Sequence, residues 1–424
     1  MKSLYCLFVC LVCSVLVASC GKGVVPEVIP EDPEEQGVPD APEQSGFQPA
    51  VRIDLTASDQ CVRDASNRFG KDIFGRLYGA DGGKTDVVLS PLSLSLALAM
   101  VAEGAAGDTY KQFADCLGWG NTSREETGTF YEKMIAGLVE ADKSVHFSSS
   151  NSLWAAKDLR LKESFSGTLS KSFETESFSV DFSLPQTLQQ IYGWCSDKTD
   201  GKISRFLDSL DGNTRMVLAN VLLFKAPWSV EWEVKKDLDF QGVSGNVKKD
   251  YLQASGLFVY RSTDNYDVVG VGYGNGAYEM DLVLPAEGKK IAEVLPVLDL
   301  GALSSMHFQQ VDLSLPKFSA EYSTKELLPT CLKEAGLALP FSAEQADFSG
   351  ISDEKLCISK VLQKTRIDVS ENGTEFAAAT VFTMAGADSG EAPQIKMMKF
   401  NRPFLYLIRE TSTNTILLMG TLSE

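Results

Sequence analysis

The residues from Ser90 to Ala102, S-P-L-S-L-S-L-A-L-A-M-V-A, give a helix almost no polar face. Proline at 91 suits a first helical turn, where its missing N–H loses no hydrogen bond. A helix that is apolar or small on nearly every side belongs at the centre of a large core. A short apolar strand, Val87, Val88 and Leu89, leads into it. Upstream, Phe69, Ile73 and Leu77 recur at four-residue intervals and predict an amphipathic first helix. The chain has the material for such a core: 424 residues, 44% hydrophobic and 23% charged, with no composition break in its body to mark a second large domain.

A second stretch, Thr365 to Phe404, poses a different problem. It begins as a strand with alternating Ile367 and Val369, passes Gly373, and becomes small and uncharged through Ala377, Ala378, Ala379 and Thr380. It then dissolves into Gly, Ala and Ser before Pro393. So long a loop between two structured flanks argues for function or mobility. Its first half nevertheless has strand composition, rich in Thr, Val and Phe. The segment reads as a strand with nowhere to pair.

Several classes of function find no support. The formal net charge of −18 argues against a nucleic-acid ligand, which needs clustered Lys and Arg. Cys61, Cys116, Cys195, Cys331 and Cys357 are scattered singly. They form neither a disulfide framework nor a metal site, and are expected as small buried hydrophobes. Only His146 and His307 are available as imidazole bases, and neither lies near a nucleophile motif such as G-x-S-x-G. No phosphate loop, dinucleotide fingerprint or H-E-x-x-H occurs. An enzyme would need an activated nucleophile beside a base, and no pair presents itself. No cofactor or metal is called for.

Residues 1–19 read as a secretory signal, with Lys2 at its start and an apolar run from Leu4 to Val17 too short for a stable membrane span. Its end, Val17-Ala18-Ser19-Cys20-Gly21, resembles a bacterial lipobox. That resemblance implies a lipidated Cys20 as the mature N-terminus. The protein would then be exported across the inner membrane and held at the outer membrane, on its periplasmic or its cell-surface face. Residues 20–50 form an acidic, proline-rich tether with too little apolar surface to fold. Extended, about thirty residues at about 3.1 Å each reach about 90 Å. Residues 51–424 are the folded domain.

The body carries an ordered set of motifs. V-L-S-P-L-S-L-S-L-A-L-A-M-V-A-E-G-A-A-G-D-T comes first, then Asn151-Ser152-Leu153-Trp154, then Trp194 with Thr199-Asp200-Gly201-Lys202-Ile203. Leu218-Ala219-Asn220 through Trp228 follows, then Asp312-Leu313-Ser314-Leu315-Pro316-Lys317-Phe318, Ala346 to Ile351, and Phe400-Asn401-Arg402-Pro403-Phe404. Together they resemble the serpin family over about Gln60 to Leu422. The resemblance implies an α+β serpin fold, about eight or nine helices around three β-sheets with an exposed reactive-centre loop, most simply as a monomer. It also implies an irreversible protease inhibitor rather than an enzyme. A protease cuts the exposed loop, whose first half inserts as a new strand in an existing sheet and distorts the bound enzyme. The alternative is a non-inhibitory binding or structural protein on the same fold.

The resemblance assigns residues. Glu371, Gly373, Thr374 and Glu375 match the family's hinge, followed by Phe376, Ala377, Ala378, Ala379 and Thr380 in the inserting arm. Strand alternation sets Thr374, Phe376, Ala378, Thr380 and Phe382 on the face to be buried and Glu375 toward solvent. Phe376 departs from the small residue usual in inhibitors and overfills its position. Ser90, Pro91, Ser93, Asn220 and Gln363 fall in the sheet-opening region, with Gln363 where the family usually has histidine. Counting from Glu371 places the scissile bond at Ala387-Asp388, with Met384 and Ala385 as alternatives. No Lys or Arg occurs between Arg366 and Lys396. A trypsin-like pocket is therefore unserved, and an elastase-like serine protease is the expected target, a papain-like cysteine protease the second choice.

Overall fold

The computed structural model describes residues 48–424 except 81, 204–208, 211–212, 326, 362 and 375–394. Helix α1 (Ala57–Gly79) opens with a capping box in which Thr56 and Asp59 exchange side-chain to backbone hydrogen bonds. Strand β1 (Val88–Leu89) leads to α2 (Pro91–Ala102), whose cap, Ser90 Oγ, accepts from the Ser93 amide. Then come α3 (Gly107–Leu117), α4 (Arg124–Ala141), β2 (His146–Ala156), α5 (Glu163–Phe173), β3 (Thr175–Val180), α6 (Pro185–Lys198) and β4 (Met216–Lys225). The remainder is mostly strand: β5 (Glu233–Gly242), β6 (Gly245–Ser262), β7 (Tyr266–Tyr273) and β8 (Tyr278–Pro285) lead to the short α7 (Ile291–Val294). They are followed by β9 (His307–Pro316), β10 (Phe318–Ser323), α8 (Leu327–Glu334), β11 (Lys364–Val369), β12 (Lys396–Lys399), β13 (Phe404–Glu410) and β14 (Thr415–Leu422).

The apolar helix sits where its composition demands. All but Ala97 and Val101 of α2 are buried, and the helix packs on α1, β14 and β4. Close approach to α1 depends on a missing side chain, since a Cβ on Gly70 would lie 2.3 Å from the Pro91 Cβ. The hydroxyls of Ser66 and Ser95 meet across the same crossing at 2.7 Å. Beneath α2, every residue of β13 and β14 is buried. Such strands must be uniformly apolar on both faces, as Phe404 to Ile408 and Ile416 to Met419 largely are.

Among the described residues the helices number eight, with three sheets, as expected for this α+β class. The largest sheet runs β1-β14-β13-β8-β7-β6-β9-β12, with β5 also on β6. The others are β3-β2-β4 and the pair β10-β11. His146 and His307 are the exposed first residues of β2 and β9. The cysteines depart from expectation: Cys195 and Cys331 are buried, but Cys61 and Cys357 are exposed and Cys116 is partly so. Cys61 lies on the exposed face of α1, so apolar character alone does not decide its place.

One charged cluster lies inside the large sheet. Arg409 donates through Nε to Asp281 Oδ2 at 2.7 Å, and through Nη2 to Glu279 and to the Leu303 carbonyl. Asp281 is fully buried, and its Oδ1 has no partner among the described residues. Burial, reinforced by the Asp281 charge, pushes the Glu279 carboxyl from 4.5 up to about 8. A protonated Glu279 can donate to the Asp281 carboxylate, which also favours the raised value. The folded state thus keeps a proton that the unfolded chain releases. Its stabilising contribution is complete below about pH 4.5 and is lost as pH rises through about 8. Thermal melts between pH 5 and 8 should therefore fall more steeply in the wild type than in Glu279→Gln. Parallel slopes would show that Glu279 carries no such proton.

Candidate functional site

Two strand edges face each other unpaired. β4 is bonded to β2 on one side and β11 to β10 on one side, yet among the described residues no backbone hydrogen bond joins β4 to β11. A cleft of about 40 Å³ runs between them, lined by Ser90, Asn220, Phe224, Gln363, Ile367 and Thr374. At its upper end the chain leaving β11 folds back on itself. Ser370 and Gly373 exchange amide-to-carbonyl hydrogen bonds at 3.1 and 3.2 Å, closing a hairpin turn. Thr374 then pairs antiparallel with Ala226, each amide donating to the other's carbonyl at 2.9 Å.

The turn is held from three sides. Trp228 Nε1 donates to the Ser370 carbonyl at 2.8 Å, and its ring stacks on Tyr273 at 4.3 Å. The Tyr273 hydroxyl meets Thr374 Oγ1 at 3.0 Å, with both side chains buried. Burial pushes the Tyr273 phenol well above its ordinary value, so it stays a neutral partner. Lys317 Nζ sits 2.6 Å from Glu371, and that hydrogen bond holds the carboxyl below its usual range. Gly373 has φ +106°, and a Cβ there would lie 2.1 Å from the Ala226 carbonyl oxygen. Only glycine fits both the rotation and the space.

The match to known proteins is extensive. The family described as "Serpin (serine protease inhibitor)" matches residues 64–424. The chain belongs to the serpin family. A serine protease inhibitor of Cyanea capillata is 32% identical over 365 residues, covering 81% of this chain and 93% of that protein. Among solved structures, the native thermophilic serpin tengpin is 27% identical with a TM-score of 0.76, covering 89% of this chain and 97% of its own. Human thyroxine-binding globulin is 25% identical with a TM-score of 0.77, covering 87% and 99%.

In this serpin the residues expected in the sheet-opening region converge across the cleft. Gln363 is buried and spans the gap to α2: its Oε1 accepts from the Ser90 amide at 2.8 Å and its Nε2 donates to the Ser90 carbonyl at 3.1 Å. Ser90 Oγ donates to the Leu417 carbonyl at 2.6 Å. Ser93 donates to Asn220 Oδ1, and Asn220 Nδ2 donates to Asn151 Oδ1 at 2.7 Å. Pro91 fills the crossing with α1. The hinge residues Glu371, Gly373 and Thr374 lie at the top of the same cleft, as described. Glu375, Phe376, Ala377, Ala378, Ala379 and Thr380 lie outside the described residues, as do Met384, Ala385, Ala387, Asp388 and Cys20.

Tyr273, Trp228, Ser370 and Lys317 escaped the sequence reading as hinge supports. Trp228 and Lys317 stand inside motifs it quoted. Tyr273 carries no local signal, because its role comes from β7 passing under the turn.

Gly373→Ala tests the hinge. The substituted residue must give up the positive φ or the Ala226 pairing, at about 1–3 kcal/mol of strain. The expected outcome is at least a tenfold rise in hydrogen exchange at the Ala226 amide, with little change in global melting. Unchanged protection would show that the pairing does not depend on glycine.

Proposed function

We propose that this serpin is a suicide-substrate inhibitor of extracellular endopeptidases, with elastase-like serine proteases as its first targets. Its relatives support a serpin-type protease inhibitor. The observation that carries the finer reading is the cleft between β4 and β11 with Thr374 already paired at its top. A strand's worth of donors and acceptors is available to a cut loop, and the first inserting residue is in register.

The chemistry belongs to the target. Its serine oxygen attacks the Ala387 carbonyl carbon, the bond to the Asp388 nitrogen breaks, and that nitrogen leaves with a proton from the protease's own acid. The loop's N-terminal half remains esterified to the serine. Its insertion along β4 then carries the acylated protease away from the Asp388 side before water can complete the cycle. Cleavage after Met384 or Ala385 serves equally, and a papain-like enzyme would form the corresponding thioester. Phe376 favours the second reading, a non-inhibitory binding protein whose loop is cut without trapping. Lipidation at Cys20 places the inhibitor at the outer membrane behind its acidic tether.

Mixing the protein with elastase-like, chymotrypsin-like, trypsin-like and papain-like enzymes should give a complex that survives hot detergent with the first, and not with the trypsin-like enzyme. The mass of the released C-terminal peptide identifies the bond. Thr374→Arg would bury an unpaired cation beside Tyr273. We expect it to cut complex yield at least tenfold while cleavage continues; equal yields would sink the insertion mechanism. Cys20→Ser should move the protein from the detergent-rich to the aqueous phase on temperature-induced detergent partitioning. Unchanged partitioning would rule out the lipid anchor.

A further inference from the structure

The central helix α2 is incompletely covered along one stripe. Its two half-buried residues, Ala97 and Val101, share a face with Ser93, Leu94 and Leu98, and that face is one wall of a cavity of about 420 Å³. Spacings of three and four residues keep the five together, and from Ser93 to Val101 the helix rises about 12 Å. The facing wall is the N-terminal half of β4, where Met216 and Leu218 turn toward the main core and are only half-buried. Phe348 and Leu356 extend the apolar lining. One end is polar: Ser93, Asn220 and Gln363 line both this cavity and the narrow cleft above it, Ser93 bonded to Asn220 and Gln363 to Ser90.

Charge at the cavity runs against that of the chain. The sequence has 57 acidic and 39 basic side chains, yet the described residues that line the cavity include Arg215, Lys355 and Lys360 and no carboxylate. Arg215 is already matched, at 2.9 Å from both Asp158 and Glu354. Lys355 donates at 3.0 Å to the Glu344 carbonyl, a neutral acceptor that leaves its charge in place, and Lys360 is exposed. Sites for small molecules are concave and mainly apolar, with a few polar groups that fix orientation. A cavity of about 150 Å³ holds the six carbons of benzene, so this one has room for a chain on the order of a dozen carbons.

We propose that this cavity binds a single-chain amphipathic anion, a fatty-acid carboxylate whose alkyl chain lies between α2 and β4 and whose headgroup meets Lys355 and Lys360. The chain covers Ala97, Val101, Met216 and Leu218, and every methylene taken out of water adds to affinity. The carboxylate gains charge-assisted hydrogen bonds from the two ammonium groups. A neutral chain of equal length keeps the burial and loses those bonds, and a cationic one is repelled. The hinge turn takes no part in the site, so its occupancy is read without a protease.

Two exposed thiols give the test a built-in control, since Cys357 lies in the cavity wall and Cys61 on α1 does not. The full chain is labelled with N-ethylmaleimide and the rate at each thiol is followed by peptide mass. Dodecanoate, kept below its micelle-forming concentration, should slow labelling of Cys357 at least fivefold and leave Cys61 unchanged. Dodecanol should protect clearly less well, and dodecyltrimethylammonium should give no protection. Lys355→Gln combined with Lys360→Gln should bring dodecanoate down to the level of dodecanol. Ala97→Phe, which fills the cavity, should abolish protection; the lysine variant changes only exposed side chains and keeps the test decisive if Ala97→Phe folds poorly. Unchanged labelling of Cys357 in the wild type overturns the site. Equal slowing at Cys61 shows adsorption to the whole surface and overturns it as well. Equal protection by dodecanol and dodecanoate in the wild type overturns the assignment of an anion.

Discussion

Backbone N–H and C=O groups that leave water have to be paired, and the facing edges of β4 and β11 are not paired to each other. Everything near them is arranged around that condition. β4 is held from behind by β2 over its whole length, and β11 by β10, so each edge is rigid while the space between them stays open. Replacing water on those edges by a strand gains about 1 kcal/mol net per hydrogen bond. At the mouth, Thr374 pairs through its backbone with Ala226.

The floor of the opening explains why an apolar helix carries serines. Ser90 and Ser93 stand at the end of α2 nearest the cleft, where the helix cap and the sheet edges compete for partners. Ser90 offers its amide and carbonyl to Gln363 and its hydroxyl to β14, while Ser93 reaches Asn220. α2 thus bonds to both halves of the divided sheet, to β4 through one serine and to the residue preceding β11 through the other. Glutamine at 363 has both a donor and an acceptor and no charge to gain. Its bond to Ser90 is therefore indifferent to pH, unlike one made by histidine at the same place.

The sequence made α2 legible because burial on all sides leaves a composition that no exposed helix shares. Gly373 was legible as a special position too, because a single positive-φ position selects glycine. What stayed hidden depends on chain crossings. Tyr273 is one aromatic residue among many until β7 brings it under Thr374, and Arg409 looks like a surface arginine until β8 sets Asp281 and Glu279 against it. Cys61 and Cys357 were misplaced because residue type is a weaker guide than position on the helix or in the wall of the cavity beside α2. The division of the sheet itself cannot be read from local pattern, since β4 and β11 have ordinary strand composition.

The hinge also limits how the opening can be filled. With Ser370 and Gly373 closing the turn, Lys317 holding Glu371 and Tyr273 holding Thr374, the register of the chain against β4 is set at Ala226. A slip of one residue would turn every inward side chain outward and expose the threonine now bonded to Tyr273. The backbone bonds of Ser370, Gly373 and Thr374 and the side-chain bonds of Lys317 and Tyr273 therefore hold one register at the top of the cleft.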